Sequence, residues 1–361
     1  MAQARTPTNG DPYWFGKEVA RLARLALIAE HVGCRELVAP VLDRIADGFR
    51  PWLDPTAPSA FRYDATHGGL LTLAGANGDL DANFGHARYN DHHFHHGYLV
   101  YAAAVLARHR PDWWTVHRSA VLSICMDYFY VPSDRARPRS PFPRLRHFDP
   151  YDGHSWASGT TVFADNRNQE STSEAVNAYY ATALLAKVDQ NAELEAAARV
   201  VLGMELRAAR TYWQMTPPPA HSAIPDDGLR YAADIIVWST KADHATWFGN
   251  LPEFIHGIQF LPFTPITHAL LDSRWLQRIS PMLHQAMQRQ NPPIEVGWRG
   301  LLLMASAARG SAAAAYEAWR TLSSMSVGTA PGDGWDNGNS KSNALYWVAA
   351  NAASMYINDN S

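Results

Sequence analysis

Cysteine is nearly missing from this chain. Its 361 residues include two, Cys34 and Cys125, far apart and each set in an apolar helical pattern, which excludes a disulfide framework and leaves two free thiols as the expectation. Charge is scarce as well: 18% of residues are charged, the formal net charge is -3, and no block of like charges occurs. The electrostatic grounds for binding nucleic acid or an anionic membrane are therefore absent, and a neutral partner is expected. No apolar run approaches the roughly 18 residues that cross a bilayer. Residues 1–10 are polar, lack the apolar core of an export signal, and are expected to be a disordered lead into a domain covering 11–361.

What the chain does have is apolar mass and aromatic rings: 47% of it is hydrophobic, with 13 tryptophans and 15 tyrosines. That is enough to bury a large core, and amphipathic rings suit ligands that combine a flat apolar face with hydroxyls, as sugars do. Aromatics filling a helical core are the plainer alternative. Apolar residues recur at three- and four-residue spacing over Glu18–His31, Arg35–Phe49, His95–Arg108, Trp113–Phe129, Ala175–Lys187, Ala192–Ala209, Ile266–Leu271, Ser273–Arg289, Ile294–Ala308, Ser311–Met325 and Asn343–Ile357. About eleven helices joined by short connections predict an all-α fold of roughly six antiparallel pairs, a closed helical toroid. Three stretches interrupt the pattern: 51–90, with a β-like run at Gly69–Leu73; 132–168, rich in Pro, Arg, Gly and Ser; and 215–251, with Asp226-Asp227-Gly228 and the aromatic run from Trp238 to Phe248. Loops of this length on a helical scaffold are where a site belongs.

The first two interruptions each lead into an unusual polar motif. Tyr89-Asn90-Asp91-His92-His93-Phe94-His95-His96-Gly97-Tyr98 runs directly into an apolar helix, with Asp91 one turn from His95 and His92 one turn from His96. Asn90 or Asp91 could serve as a helix N-cap, and the i, i+4 histidines could share a metal ion, but no acidic third ligand is fixed nearby and no metal is expected. Asn168-Gln169-Glu170-Ser171-Thr172-Ser173-Glu174 opens a second helix. The Ser171 to Glu174 spacing fits a capping box, which leaves Glu170 outside the helix and available for chemistry. Between them, Asp149-Pro150-Tyr151-Asp152-Gly153-His154-Ser155-Trp156-Ala157-Ser158-Gly159 is dense in groups that hydrogen-bond hydroxyls, with one tryptophan that could stack on a ring. Carboxylates, imidazoles and aromatics from successive loops are what glycoside hydrolysis uses: one carboxyl to protonate the leaving oxygen and one to act as base or nucleophile.

The runs YNDHHFHHGYLVYAAAVLA, DPYDGHSWASG and NQESTSEAVNAYYATALLA, in that order and spacing, resemble glycoside hydrolase family 81, the endo-1,3-β-glucanases or laminarinases. DPYWFGKEVARLARLALIAEHVG near the start, LPEFIHGIQFLPFTP at Leu251–Pro265 and the Trp/Asn-rich ending extend the resemblance over nearly the whole chain. The resemblance implies an (α/α)6 barrel whose long loops carry short β segments, and endo-acting, inverting hydrolysis of 1,3-β-glucan without metal or other cofactor. By the same resemblance Asp91 is the proton donor and Glu170 the base that activates water. Glu174 is a third acidic group near the reaction centre, and an exchange of roles between Glu170 and Glu174 stays open. His95, Asp149 and His154 would contact the glucan or orient the carboxyls, Trp156 and further Trp238 or Trp247 would line subsites, and Tyr89, Asn168 and Glu253 complete the expected set. An aspartate at a helix start normally has its pKa lowered, so burial beside Phe94 and Tyr98 with the field of Glu170 and Glu174 is expected to offset that. Family members usually carry a β-sandwich domain and a linking domain ahead of the barrel; the recognisable part here begins at about Asp11, so neither is expected within these 361 residues. The expectations that remain are a monomer, an uncharged polysaccharide as partner, and, for a domain or mature form, work outside the cell or in a cell wall. A non-catalytic glucan-binding protein is the alternative from another class.

Overall fold

The computed structural model describes residues 5–132, 141–215, 236–327 and 334–358. The first four residues of the lead segment 1–10 and the Asp226-Asp227-Gly228 run lie outside the described residues. In the rest of that lead segment, Pro7 is buried. The chain forms two compact units, Met1–Gln169 with Glu174–Glu205, and Glu170–Ser173 with Leu206–Ser361.

The first unit is built on the helix His92–His109. Sixteen of its eighteen residues are buried, so it has no solvent face and serves as the unit's central post. Against it pack Pro12–His31 and Pro111–Tyr128, with Val38–Leu53 on Pro12–His31. Pro12–His31 begins earlier than its apolar periodicity indicates because Asp11 caps it, accepting from the amides of Tyr13 (2.8 Å) and Trp14 (3.0 Å), with proline at the first helical position. Thr172–Val188, which lies in this unit from Glu174 onward, crosses the post at Gly97, where an added Cβ would stand 2.7 Å from Cβ of Ala178. Glycine there lets the two backbones meet and brings Tyr98 to Glu174. Two short antiparallel pairs complete the unit: Arg62–Asp64 with Gly69–Leu71, and Phe148–Asp149 with His154–Ser155.

In the second unit Ser273–Gln288, Val296–Ala307, Ala312–Ser324 and Lys341–Asn358 pack in succession, with the short helix Pro252–Gly257 beside them. Trp275, Leu276, Ile279, Leu283, Leu302, Met304 and Trp347 are buried, and the Trp347 indole donates to the Met304 carbonyl at 3.0 Å. A hairpin pairs Ile236–Trp238 with Ala242–Asp243. The helices that sequence periodicity misses, Leu73–Ala76, Ala82–Gly85 and Pro252–Gly257, are four to six residues long, too short for a 3.6-residue period to register. Among the described residues no helix is long and apolar enough to cross a membrane.

Candidate active site

Asp91 stands at the head of the central helix with φ 62° and ψ 14°, and its side chain makes no capping hydrogen bond. An N-cap carboxylate needs extended backbone to reach the second or third amide of the helix; left-handed backbone turns it away. Tyr89 shares this conformation at φ 61°. Non-glycine residues in the left-handed region cost on the order of 1 kcal/mol or more each and persist where the surroundings over-determine them. Here the surroundings are the loop after Trp156. The Asp91 amide donates to the Ala157 carbonyl (2.9 Å), the Thr160 amide to the Arg88 carbonyl (2.6 Å), and the Gly159 amide and Thr161 hydroxyl both to Asn90 Oδ1 (3.0 Å each). Any side chain at Gly159 would fall 2.0 Å from the Arg88 carbonyl oxygen. The end of the 149–159 run and the two residues after it thus hold the Tyr89–Tyr98 motif in shape.

Behind Asp91 lies a buried polar network. His92 Nδ1 is 2.6 Å from Asp127 Oδ2 and His92 Nε2 is 2.8 Å from the His86 carbonyl. His96 Nδ1 lies 3.1 Å from the same Asp127 oxygen, off the line of a good hydrogen bond, and its Nε2 is 3.2 Å from His86 Nε2. Asp127 Oδ1 accepts from the Leu70 amide (2.8 Å) and from Arg146 (3.3 Å), whose guanidinium stacks over Tyr89 at 4.3 Å. Burial alone would raise the Asp127 pKa, but the charge and hydrogen bond of His92, with the nearby His96, outweigh it and hold it well below the usual carboxylate range. Burial, reinforced by neighbouring imidazoles, pushes His86, His93 and His95 well below the ordinary histidine value, His96 to about 4 and His147 to about 3. Nitrogens of His86, His92 and His96 come within 4.8 Å of one another. A cation there would have to displace one of the two hydrogen bonds of His92, to Asp127 or to the His86 carbonyl.

Glu174 is 3% exposed, and its Oε1 accepts from the hydroxyls of Tyr13 (3.0 Å) and Tyr98 (2.8 Å). The Tyr13 ring in turn lies 5.1 Å from that of His95, a buried imidazole. Other expected site residues of this unit have partners within the protein. Asp149 pairs with Arg167 (2.8 Å), which lowers its pKa, and also accepts the amides of Tyr151 and Asp152. Trp156 is 6% exposed, donates to Asp152 (2.9 Å) and carries Arg167 on its face. The His154 ring packs edge-on against it, with Nδ1 2.8 Å from the Ser155 carbonyl; burial lowers the pKa of that imidazole. The Asn168 side chain donates to the Ser158 hydroxyl (2.7 Å), and the Tyr89 hydroxyl to Asp64 (2.7 Å).

In the second unit Glu170 is part-exposed, and its Oε1 accepts the Trp247 amide at 2.9 Å. Its backbone is fastened by Gln259: Gln259 Nε2 donates to the Glu170 carbonyl (2.6 Å), and Gln259 Oε1 accepts from the Thr172 amide (3.1 Å) and hydroxyl (2.7 Å). Trp247 and Phe248 are 55% and 51% exposed, and the Trp247 ring meets that of Trp238 edge-on. Glu253, by contrast, is buried in a two-point ion pair with Arg289. Sequence reasoning did not single out Tyr13, Asp127, Arg146, Glu205 or Gln259. For Asp127 and Glu205 a signal existed, since each interrupts the apolar stripe of its helix.

A family described as the glycosyl hydrolase family 81 C-terminal domain matches residues 2–348. Similar curated proteins include a glucan endo-1,3-β-D-glucosidase of Glycine max, 32% identical over 353 residues that cover 94% of this chain and 49% of that protein. The primary septum glucan endo-1,3-β-D-glucosidase of Schizosaccharomyces pombe is 31% identical over 96% of this chain and 32% of its own length. Among solved structures, a family 81 glycoside hydrolase from Clostridium thermocellum, determined as a glutamate-to-alanine mutant, superposes with a TM-score of 0.74 at 28% identity, covering 97% of this chain and 46% of that one. That likeness is consistent with the (α/α)6 class expected from the sequence. The chain spans about half, or less, of the length of these relatives.

Proposed function

This chain belongs to glycoside hydrolase family 81, matching its C-terminal domain over residues 2–348, and from that premise we propose that it cleaves 1,3-β-glucan internally, as a monomer, by an inverting two-carboxylate mechanism. Asp91 is the proton donor to the leaving oxygen and Glu170 the base for the attacking water. The observation that carries the reading is the left-handed, externally braced backbone at Asp91, whose side chain does not cap its helix; strain of this kind at a carboxylate is accounted for by a chemical task. Between the two glutamates, Glu170 suits the base. It is part-exposed, whereas Glu174 is 3% exposed and already receives two tyrosine hydroxyls. Glu174 then supports the site electrostatically and orients Tyr13 beside His95. The exposed Trp247 and Phe248 next to Glu170 offer faces for glucose rings.

Reducing-sugar release from laminarin by the wild type, Asp91→Asn and Glu170→Gln, with and without EDTA, tests this. We expect each substitution to lower kcat by about a thousandfold, no effect of chelator, and a product whose initial anomer is opposite to the substrate's. A wild type that binds laminarin without cleaving it would favour the glucan-binding alternative. Retention of activity in Glu170→Gln with loss in Glu174→Gln would exchange the two glutamates' roles.

A further inference from the structure

Glu205 is fully buried on the apolar stripe of the helix Ala192–Ala208, in line with Ala198, Val201 and Leu202. A carboxyl in such a place costs several kcal/mol relative to an apolar residue unless its hydrogen bonds compensate. One of its oxygens, Oε2, accepts both from the Ser155 amide (3.0 Å) and from the Ser155 hydroxyl (2.9 Å), and that hydroxyl is 2.6 Å from the Tyr179 hydroxyl. Its other oxygen, Oε1, has no hydrogen-bond partner among the described residues. All of its bonding therefore goes to one residue of one loop.

From Ser155 the chain runs straight to the proposed proton donor. The Trp156 amide donates to the His147 carbonyl (2.9 Å) and the Ala157 amide to the Asn168 carbonyl (2.7 Å), and the Ala157 carbonyl then accepts the Asp91 amide (2.9 Å). One residue, Trp156, thus separates the serine that Glu205 fixes from the residue whose carbonyl holds Asp91 left-handed. We propose that Glu205 is a positioning residue for Asp91: by fixing Ser155 it fixes the 155–160 strap and, through Ala157, the backbone from which the proton donor projects. The inference rests on Asp91 being that donor.

Glu205→Gln keeps an oxygen that accepts both Ser155 bonds. Glu205→Leu has no acceptor, which leaves the buried Ser155 amide unsatisfied and its hydroxyl with Tyr179 alone. Two readouts separate this idea from the function it serves. By amide hydrogen exchange, Glu205→Leu is expected to exchange about tenfold faster at 154–161 and at 86–93 while Val296–Ala307 is unchanged. On laminarin, its kcat is expected to fall about 30-fold with KM within about threefold, because a small displacement of a reacting group acts on the chemical step. Glu205→Gln restores both. Unchanged exchange at 86–93 in folded Glu205→Leu overturns the coupling whatever the activity, and so does a Glu205→Gln that behaves like Glu205→Leu. Faster exchange with unaltered kcat overturns the positioning role. An inactive wild type with the expected exchange pattern overturns the hydrolase reading and supports the coupling. Should Glu205→Leu not fold, Ser155→Ala, which deletes one of the two bonds, tests the same coupling with an expected exchange increase of about threefold.

Discussion

The surroundings of Asp91 and of Glu170 are built in opposite ways. Around Asp91 the backbone is left-handed and braced by four hydrogen bonds from the 157–161 loop, and the helix it heads is anchored by His92 to a fully buried aspartate. Around Glu170 the segment 170–173 is fastened by Gln259 and by the carbonyl of Ile258, which accepts from the Ser171 hydroxyl, while the part-exposed carboxylate accepts the amide of the half-exposed Trp247. A proton donor has to be held at one point, which calls for rigidity, and it is the bracing rather than burial that sets Asp91 apart, since both carboxylates are part-exposed. A base that activates water has to admit water. The first region is therefore expected to answer to anything that disturbs stability, and the second to changes in ligand binding.

The largest contrast should come from acid. His86, His93, His95, His96 and His147 all titrate below the ordinary histidine value of 6.5 in the folded protein. As pH falls below about 6.5 the unfolded chain binds protons that the folded one does not, so stability is lost, each imidazole contributing up to ~1.4 kcal/mol per pH unit until its folded form titrates. Asp127 extends the loss downward: its depressed pKa stabilises the fold above the ordinary carboxylate range, and that stabilisation disappears as pH drops through the folded value. Glu205 runs the other way. Burial pushes it up to about 8 from 4.5, partly offset by Ser155, so it weakens the fold progressively across that interval and levels off above it. Urea unfolding followed from about pH 7 to about pH 4 should show a steep decline; a flat profile would mean that these imidazoles are not held neutral. Glu205→Gln should gain on the wild type as pH rises from about 5 to about 8.

Removing one anchor is the next largest effect. Asp127→Ala takes away the acceptor of His92, the Leu70 amide and Arg146 at once. Breaking a buried charge pair from one side costs about 3–5 kcal/mol, and denaturant midpoints should register a loss of that order. Glu170→Ala, in the other region, should shift the midpoint by less than about 1 kcal/mol while abolishing turnover, since part-exposed carboxylates contribute little to stability. Equal losses in the two variants would erase the distinction drawn between the regions.

The sequence made the long helices legible because three or more turns of apolar spacing outweigh local noise, and it made Asp91, Glu170 and Glu174 legible as members of polar motifs at helix starts. What it could not carry was partnership over distance. The left-handed turn at Asp91 depends on a carbonyl 66 residues away at Ala157; no local rule predicts it, and an aspartate before a helix reads locally as a cap. Glu253 and Asp149 look like ligand contacts until Arg289 and Arg167 are seen beside them. Trp156 looks like a stacking platform until Arg167 is found on its face. Asp127 and Glu205 are charges in apolar stripes, visible in the pattern, but their purpose appears only with His92 and Ser155.

The smallest expected effect is also the most specific. Trp247 plays two separable parts: its backbone amide donates to Glu170, and its ring, 55% exposed, lies edge-on to Trp238. Trp247→Ala removes the ring and keeps the amide, so the bond that orients Glu170 should survive. A stacking contact of this kind contributes about 1 kcal/mol, which converts to a rise in KM for laminarin of about fivefold with kcat nearly unchanged. Trp156→Ala should do the reverse, with little change in KM but lower stability, because that indole is buried under Arg167 and bonded to Asp152. If Trp156→Ala raises KM and Trp247→Ala does not, the aromatic that faces the glucan belongs to the braced region rather than the open one, and the division of labour between them is the wrong way round.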